Sequence, residues 1–438
     1  MKRQYTTVSL ALILLIICTI GAGYGISHLY LELSAPKETD TTDALPLEKT
    51  IELQIFEGGY GRAFWRDAIE QFQKENPDIK VTANIGYNVN EQMKLKWLSG
   101  NAPDLVFTDG ANFPKALFQM EGKFKEVSAW LDNLEVSPTQ TLGEVIMPET
   151  IGRYGDKLYI LPYMLTSWGM WYDQHLLDRY MKRGLDDFTS LLETGREMKK
   201  NGIALIGYPG QFPLYLIRGL LIPGLIAEGG EQVAQQLLSA DPALYDSEVF
   251  VRYMKRLEKL AQVGLLLKYP VKMNHIHTQK EWLAHNIAYI PSGMWLRNEM
   301  ASYLPETFQL KRVDGILNET KTMKDVRVIS SVGFAVSANT RHEEEARRFI
   351  AFLYREDTLQ KMVSMLQTPA AGYVNMDGLP LEENMRTMQL AFQQGTIRPI
   401  KLDFIDPKFE QRLTQAAVAY LDGQRSLDAT IAWLKEVS

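Results

Sequence analysis

Aromatic rings set beside glycines recur in this chain where strands are expected to end. Gly58-Gly59-Tyr60-Gly61 follows the apolar run Ile51–Phe56, and Trp295 follows Pro291-Ser292-Gly293-Met294 after Ile287–Ile290. Glycine lets a backbone approach a ligand closely. A flat ring offers an apolar face for stacking and, in Tyr and Trp, a polar edge. Carboxylates stand near these rings. Asp109 lies just past Ala102–Phe107, and Glu299 is four residues beyond Trp295, on the same face of any helix there. Gln211 sits between Gly210 and Phe212. Trp168 and Trp171 follow Leu158–Tyr163, one expected to face a ligand and the other the core; Trp168 is carried forward as the ligand-facing candidate. Stacking faces with a few polar groups suit a molecule that has C–H faces and a hydroxyl rim, as a sugar does. Plainer roles compete at each position: a turn for Gly58–Gly61, a cap or turn for Asp109, core packing for Trp295 and solvation for Glu299.

Other chemistries find less support. His275-x-His277 with His285 nearby lacks a further ligand at metal-site spacing. Paired carboxylates can hydrolyse glycosidic bonds, but no pair here is singled out by its local context. There is no G-x-S-x-G, and the single cysteine, Cys18, lies in an apolar N-terminal run, so a nucleophile of either kind is unsupported. Gly58–Gly61 lacks the Lys-Ser/Thr ending of a phosphate loop. The chain is therefore expected to be no enzyme and to use no metal or cofactor. Lys and Arg number 47 against 53 Asp and Glu, a net charge of −6 that argues against nucleic acid as a partner. One cysteine permits no intramolecular disulfide.

These residues need a scaffold, and the sequence outlines one. At about 150 residues per domain, 438 residues predict two to three domains or one large one. Lys2 and Arg3 precede an apolar run from Val8 to Ile26, which reads as a signal peptide or membrane anchor over 1–31. Cleavage near Gly21–Gly25, lipidation at Cys18 and retention as an anchor compete; the absence of A-x-A and the bulk of Ile17 favour the anchor, with the body outside. Residues 32–48, polar with Pro36 and Pro46, read as a flexible tether.

Beyond it, strands at 51–56, 80–85 and 102–107 alternate with helices at 62–76 and 90–99, which predicts a largely parallel sheet covered by helices. Ligands collect at the carboxyl ends of such strands, here Gly58–Gly61 and Thr108-Asp109-Gly110. A strand at 158–163, helices at 186–201, 214–228, 247–263 and 278–285, strands at 287–290 and 332–336, and a helix at 343–354 follow. Glu343-Glu344-Glu345 suits the first turn of that last helix. The final hundred residues read as helical.

Phe72-Gln73-Lys74-Glu75-Asn76-Pro77-Asp78-Ile79-Lys80-Val81 resembles the first helix and strand of bacterial extracellular solute-binding proteins of carbohydrate ABC transporters. Gly100-Asn101-Ala102-Pro103-Asp104 resembles that family's G-x-x-P-D strand, and Tyr159–Tyr163 with Trp171-Tyr172-Asp173 its lobe-crossing segment. Ser337-Ala338-Asn339 leading into Glu345–Leu353 is similar to a later helix. Glu57–Gly61, Tyr208–Pro213 and Ile290–Met300 further resemble binding proteins for N-acetylglucosamine and diacetylchitobiose.

The resemblance implies a periplasmic-binding-protein-like α/β fold of two lobes with a hinge and an interlobe cleft. Lobe 1 would hold 49–163 and 329–372, and lobe 2 would hold 164–328 and 373–438. It also implies a monomer without catalysis, tethered to the outer face of the bacterial cytoplasmic membrane, that captures a mono- or oligosaccharide and hands it to a permease. It adds Tyr163 to Gly59, Tyr60, Asp109, Trp168, Gln211, Trp295 and Glu299 as ligand-binding candidates. A sugar-sensing ectodomain working with a separate receptor is the alternative.

Overall fold

A computed structural model describes residues 49–109, 113, 118, 121–181, 187–268, 270–319, 326–401 and 405–436. The expected N-terminal anchor, the tether, Cys18 and Gly110 lie outside the described residues. Strand β1 (Thr50–Phe56) places Ile51, Leu53 and Ile55 in the core, alternating with Glu52 and Gln54, and is followed by Gly58-Gly59. Helix α1 (Ala63–Glu75) buries Phe64, Trp65, Ala68 and Phe72, one stripe at helical spacing. It stops at Asn76, whose Nδ2 donates to the Phe72 carbonyl at 2.8 Å, and Pro77 prevents continuation. Phe72 meets Phe349 and Phe352 edge to face at 5.0 and 5.5 Å, so truncating it to alanine costs about 3–5 kcal/mol.

Strand β2 (Lys80–Gly86) and strand β3 (Leu105–Phe107) both run parallel to β1. The helix expected over 90–99 is two short ones, α2 (Val89–Gln92) and α3 (Lys94–Leu98). Strand β4 runs from Ile160 to Asp173, far beyond the expected 158–163, and carries both Trp168 and Trp171. The later elements are α4 (Phe188–Lys200), β5 (Ala204–Ile206), α5 (Leu214–Leu216), α6 (Ile222–Leu238), α7 (Glu248–Gln262), α8 (His275–Leu283), β6 (Ile287–Gly293), α9 (Leu296–Met300), β7 (Leu310–Val313), β8 (Val326–Val336), α10 (Glu343–Leu353), α11 (Glu356–Leu366), α12 (Glu383–Gln393), β9 (Arg398–Lys401), α13 (Pro407–Leu421) and α14 (Leu427–Glu436). The stretch Ile217–Leu221 between α5 and α6 widens to i→i+5 bonding. Pro223 just beyond it has no N–H to give to Gly219, which accounts for the wider turn. The final hundred residues contain β9 as well as helices.

The sheet order is β2-β1-β3-β8-β4-β6-β5, with β9 beside β8 and β7 beside β4. It is mixed rather than largely parallel. Strand β8 runs antiparallel to both β3 and β4, and β4 antiparallel to β6 and β7. The parallel reading followed the first three strands, which do pair that way, but a strand from late in the chain is inserted beside them.

Two large apolar cores flank this sheet. The first gathers Ile51, Leu53, Phe64, Trp65, Phe334 and Phe349 with Leu161 and Tyr163 from the start of β4. The second gathers Leu216, Leu220, Tyr253, Leu257 and Leu413 with Trp168 and Met170 from its end. A third cluster, with Leu165, Trp171, Ile329 and Phe392, lies where β4 and β8 pass from one to the other. These crossing strands link two α/β lobes.

The register of β8 against β4 shifts between Val332 and Gly333. A Cβ at Gly333 would lie 1.8 Å from the Leu161 carbonyl, so only glycine fits this crossing point. Val374, Met376 and Met385 pack with the first core. Further along the chain Met388 and Phe392, on α12, join the third cluster.

Candidate functional site

The loop after β1 is fixed by local bonds. The Gly61 amide donates to the Gly58 carbonyl at 3.4 Å. The Arg62 guanidinium grips both oxygens of buried Glu57, with Nε to Oε1 at 2.9 Å. The loop aims Tyr60 at the crossing strand, where its hydroxyl donates to Thr166 Oγ1 at 3.2 Å and shares a 3.0 Å bond with Thr368 Oγ1. Burial raises the Tyr60 phenol to about 12, against the pull of the two threonines. It therefore stays neutral and able to donate.

Asp109 follows β3, and its backbone is held at both ends. Its amide donates to the Phe107 carbonyl at 2.8 Å. Its carbonyl accepts from Asn90 Nδ2 at 3.0 Å, Asn90 accepts from Gln54 Nε2 at 2.9 Å, and Gln54 accepts from the buried Trp97 indole at 2.8 Å. A relay of amides thus anchors the acidic loop to a fourth cluster, in which Trp97 packs with Val106 of β3 and Ala335 of β8.

The second lobe contributes rings. Trp168, on β4, stands edge to face with Trp295 at 4.7 Å and with Tyr215, on α5, at 5.2 Å. Tyr215 stacks over His275 at 6.3 Å, and Phe212 meets that imidazole at 5.5 Å. The Arg218 guanidinium lies 5.8 Å from the Trp168 ring centre and is bound to both oxygens of Glu410 at 2.7 Å. Glu299, on α9, is held from α8: Gln279 Nε2 donates to Oε2 at 2.6 Å, and His275 Nε2 lies 3.5 Å from Oε1. His275 and Gln279 are four apart and so share one helix face. Two buried polar atoms here have no partner, Trp168 Nε1 and Gln279 Oε1.

The two sets meet. Gly59 sits so close to Trp295 that a Cβ there would lie 2.7 Å from the indole Cδ1. The Tyr215 phenol is pushed well above the usual tyrosine range, first by burial and then by Glu299, while the Trp295 indole N–H donates to it and Asp109 adds a further push. One hydroxyl thus feels a carboxylate from each lobe.

Gly59, Tyr60, Asp109, Trp168, Trp295 and Glu299 are therefore brought together. Gln211 is exposed at the rim, its backbone N–H donating to the Met273 carbonyl at 3.1 Å while its neighbour Phe212 touches His275. Tyr163 is elsewhere: fully buried among Phe64, Trp65, Phe334 and Tyr354, its ring packs the first core and presents no face to the cluster. Trp171 packs in the third cluster and donates to the Ser292 carbonyl at 3.0 Å, which leaves Trp168 as the tryptophan of the pair that joins the site. Tyr215 and Gln279 escape the sequence reading, which weighs His275 only as a metal ligand. Only Tyr215 had a local cue, two residues after the aromatic and proline pair Phe212-Pro213. Flat rings, carboxylate acceptors and unspent indole and amide groups suit noncovalent binding of a polar ring-shaped molecule.

The sequence model of the family described as "Bacterial extracellular solute-binding protein" matches residues 58–359. The chain is 26% identical over 284 residues to the Diacetylchitobiose binding protein NgcE of Streptomyces coelicolor. That match covers 63% of this chain and 58% of the relative, less than two thirds of its length. Among solved structures, RafE in complex with raffinose superposes with a TM-score of 0.68 at 17% identity, covering 88% of this chain and 97% of that one. A chitin oligosaccharide binding protein does so with a TM-score of 0.68 at 15% identity, covering 88% and 98%. At these identities the two structures speak for the fold.

Proposed function

The chain belongs to the bacterial extracellular solute-binding proteins, a family without enzymatic activity, and from that membership we propose that it captures a sugar between its two lobes and delivers it to the permease of a carbohydrate ABC transporter. The observation that carries this reading is the meeting of Gly59 and Asp109 from one lobe with Trp295, Tyr215 and Glu299 from the other around one group of rings. Lobe 1 is assigned 49–163 and 329 to the start of α12, and lobe 2 the remainder of the body. The strands β4 and β8 are the hinge. Ligand contacts made by both lobes exist only when the lobes are closed, so the ligand itself drives closure. The permease reads the closed form.

The ligand proposed is N-acetylglucosamine or chitobiose. The relative that binds diacetylchitobiose supports it, as do Glu57–Gly61 and Ile290–Met300. Trp168, Trp295 and Tyr215 supply stacking faces; Asp109 and Glu299 accept from ring hydroxyls. The N-terminal segment serves as the tether to the outer face of the cytoplasmic membrane. Titration calorimetry on the full-length chain with N-acetylglucosamine, diacetylchitobiose and maltose tests the proposal. Micromolar binding of the first two, abolished by Trp295→Ala, is expected. Binding of maltose alone would discard the chitin sugar and keep sugar capture. Silence with all three, from a folded sample, would overturn both.

A further inference from the structure

The charges around the rings are unevenly settled. Arg62 is bound to Glu57, Arg218 to Glu410 and Arg297 to Glu382, so each of these arginines already carries its own carboxylate. Glu299 differs. Its partners are the neutral amide of Gln279 and the His275 imidazole. Asp109 bears on the same Tyr215 phenol from the opposite lobe. An acidic sugar would meet two carboxylates here and arginines that are already engaged.

Gln279 adds a second, independent observation. It is 2% exposed, its Nε2 is spent on Glu299, and its Oε1 is buried with no donor. A buried acceptor without a donor is costly, and native structures keep few of them without a reason. The Glu299 carboxylate and the Gln279 Oε1 sit on one amide–carboxylate pair and all ask for donors. An ammonium has three donors, no acceptor and a positive charge. An acetamido group has one donor, and it brings a carbonyl oxygen that a carboxylate repels.

We propose that the Glu299–Gln279 pair is a subsite for the ammonium of an amino sugar, so that the ligand is a glucosamine-containing, deacetylated chitin oligosaccharide. This rests on the sugar-capture reading, keeps its chitin-type backbone and replaces the N-acetylated ligand with the deacetylated one. His275 serves as a positioning residue that holds the second carboxylate oxygen.

The test compares two probes on the full-length chain by titration calorimetry at about pH 6, below the ionisation of an amine. The probes are the glucosamine dimer and its N,N′-diacetylated form. The glucosamine dimer is expected to bind at least tenfold tighter. In Glu299→Gln that ratio should collapse to near one, and in Gln279→Met it should fall severalfold. Thermal unfolding of each unliganded variant shows whether it has folded, and the ratio of two affinities in one sample does not depend on the folded fraction. If the diacetylated dimer binds as well as or better than the glucosamine dimer, the ammonium subsite is refuted while sugar capture stands. A preference that survives Glu299→Gln also refutes it. If neither dimer binds, the chitin-sugar reading and the subsite fall together, and maltose binding decides whether sugar capture stands.

Discussion

Replacing Gly59 by alanine isolates closure from folding. The backbone at Gly59 does not have the positive φ that favours glycine, so alanine is permitted there in the free lobe. Its methyl would lie 2.7 Å from Trp295 Cδ1 and 3.1 Å from Trp295 Cβ and Cγ, well inside normal contact. With Gly59 and Trp295 assigned to different lobes, as proposed above, the clash is expected only when the lobes come together. Overpacking of this kind costs about 1–3 kcal/mol. Charged to the closed form alone, that weakens ligand binding about 5- to 150-fold, since each 1.4 kcal/mol is about tenfold. Calorimetry with the best-binding sugar reads the loss. Thermal unfolding of the unliganded chain should move by less than about 2 °C, as for a surface change. Wild-type affinity in Gly59→Ala would refute the closed contact. A large fall in the unliganded melting temperature would show that the loop is a folding contact instead.

Trp168→Phe removes an unpartnered indole N–H but also part of a buried ring packed on Tyr215 and Trp295, so the unliganded chain should lose about 1–3 kcal/mol while ligand affinity falls about 2- to 10-fold; unchanged affinity would contradict this. Arg218→Met leaves Glu410 buried and uncompensated and should cost about 3–5 kcal/mol in denaturant unfolding, with Glu410→Gln restoring part of it. Tyr60, raised to about 12 in the folded chain, contributes stability that is complete below pH 10 and lost as pH rises through about 12; Tyr60→Phe should reduce the late-ionising ultraviolet absorbance by one tyrosine, the other buried tyrosines keeping the rest. Glu75 is held below the usual carboxylate range by Arg355, so its contribution is present above about pH 4.5 and lost as pH falls further; Glu75→Gln should flatten the melting curve's acid limb.

The parts legible in the sequence are those with a local signature. Ile51–Phe56 is a strand because its apolar residues end at two glycines, and 63–75 is a helix because its rings fall on one stripe. Gly59, Trp295 and Glu299 could be singled out because glycine and ring stand side by side. Strand β4 was cut short because every described residue from Leu161 to Trp171 is buried, so no alternation marks where it continues. Tyr163 illustrates the same blindness: inside such a strand the sequence does not distinguish a ring facing the core from one facing a cleft. The insertion of β8 between β3 and β4 leaves no local trace, since it depends on residues far apart in the chain, such as Phe334 with Phe107 and Ile329 with Ser167. Gln279, and the role of His275 beside a carboxylate instead of a metal, are not legible for a related reason. Their meaning comes from Glu299 on another helix, and α8 carries no pattern that points there.

The late strand β8 also sets an order of events during synthesis. Leu105-Val106-Phe107 pair with Phe334-Ala335-Val336, and Ile160–Ser167 pair with β8 as well. Until the ribosome has passed residue 336, the first lobe has two halves of a sheet and nothing to join them. Its exposed strand edges, apolar on both faces, are then open to wrong partners. A fragment that stops before β8 is therefore expected to behave as an aggregating intermediate rather than as a smaller binding protein, and folding must wait for the chain's second half to emerge.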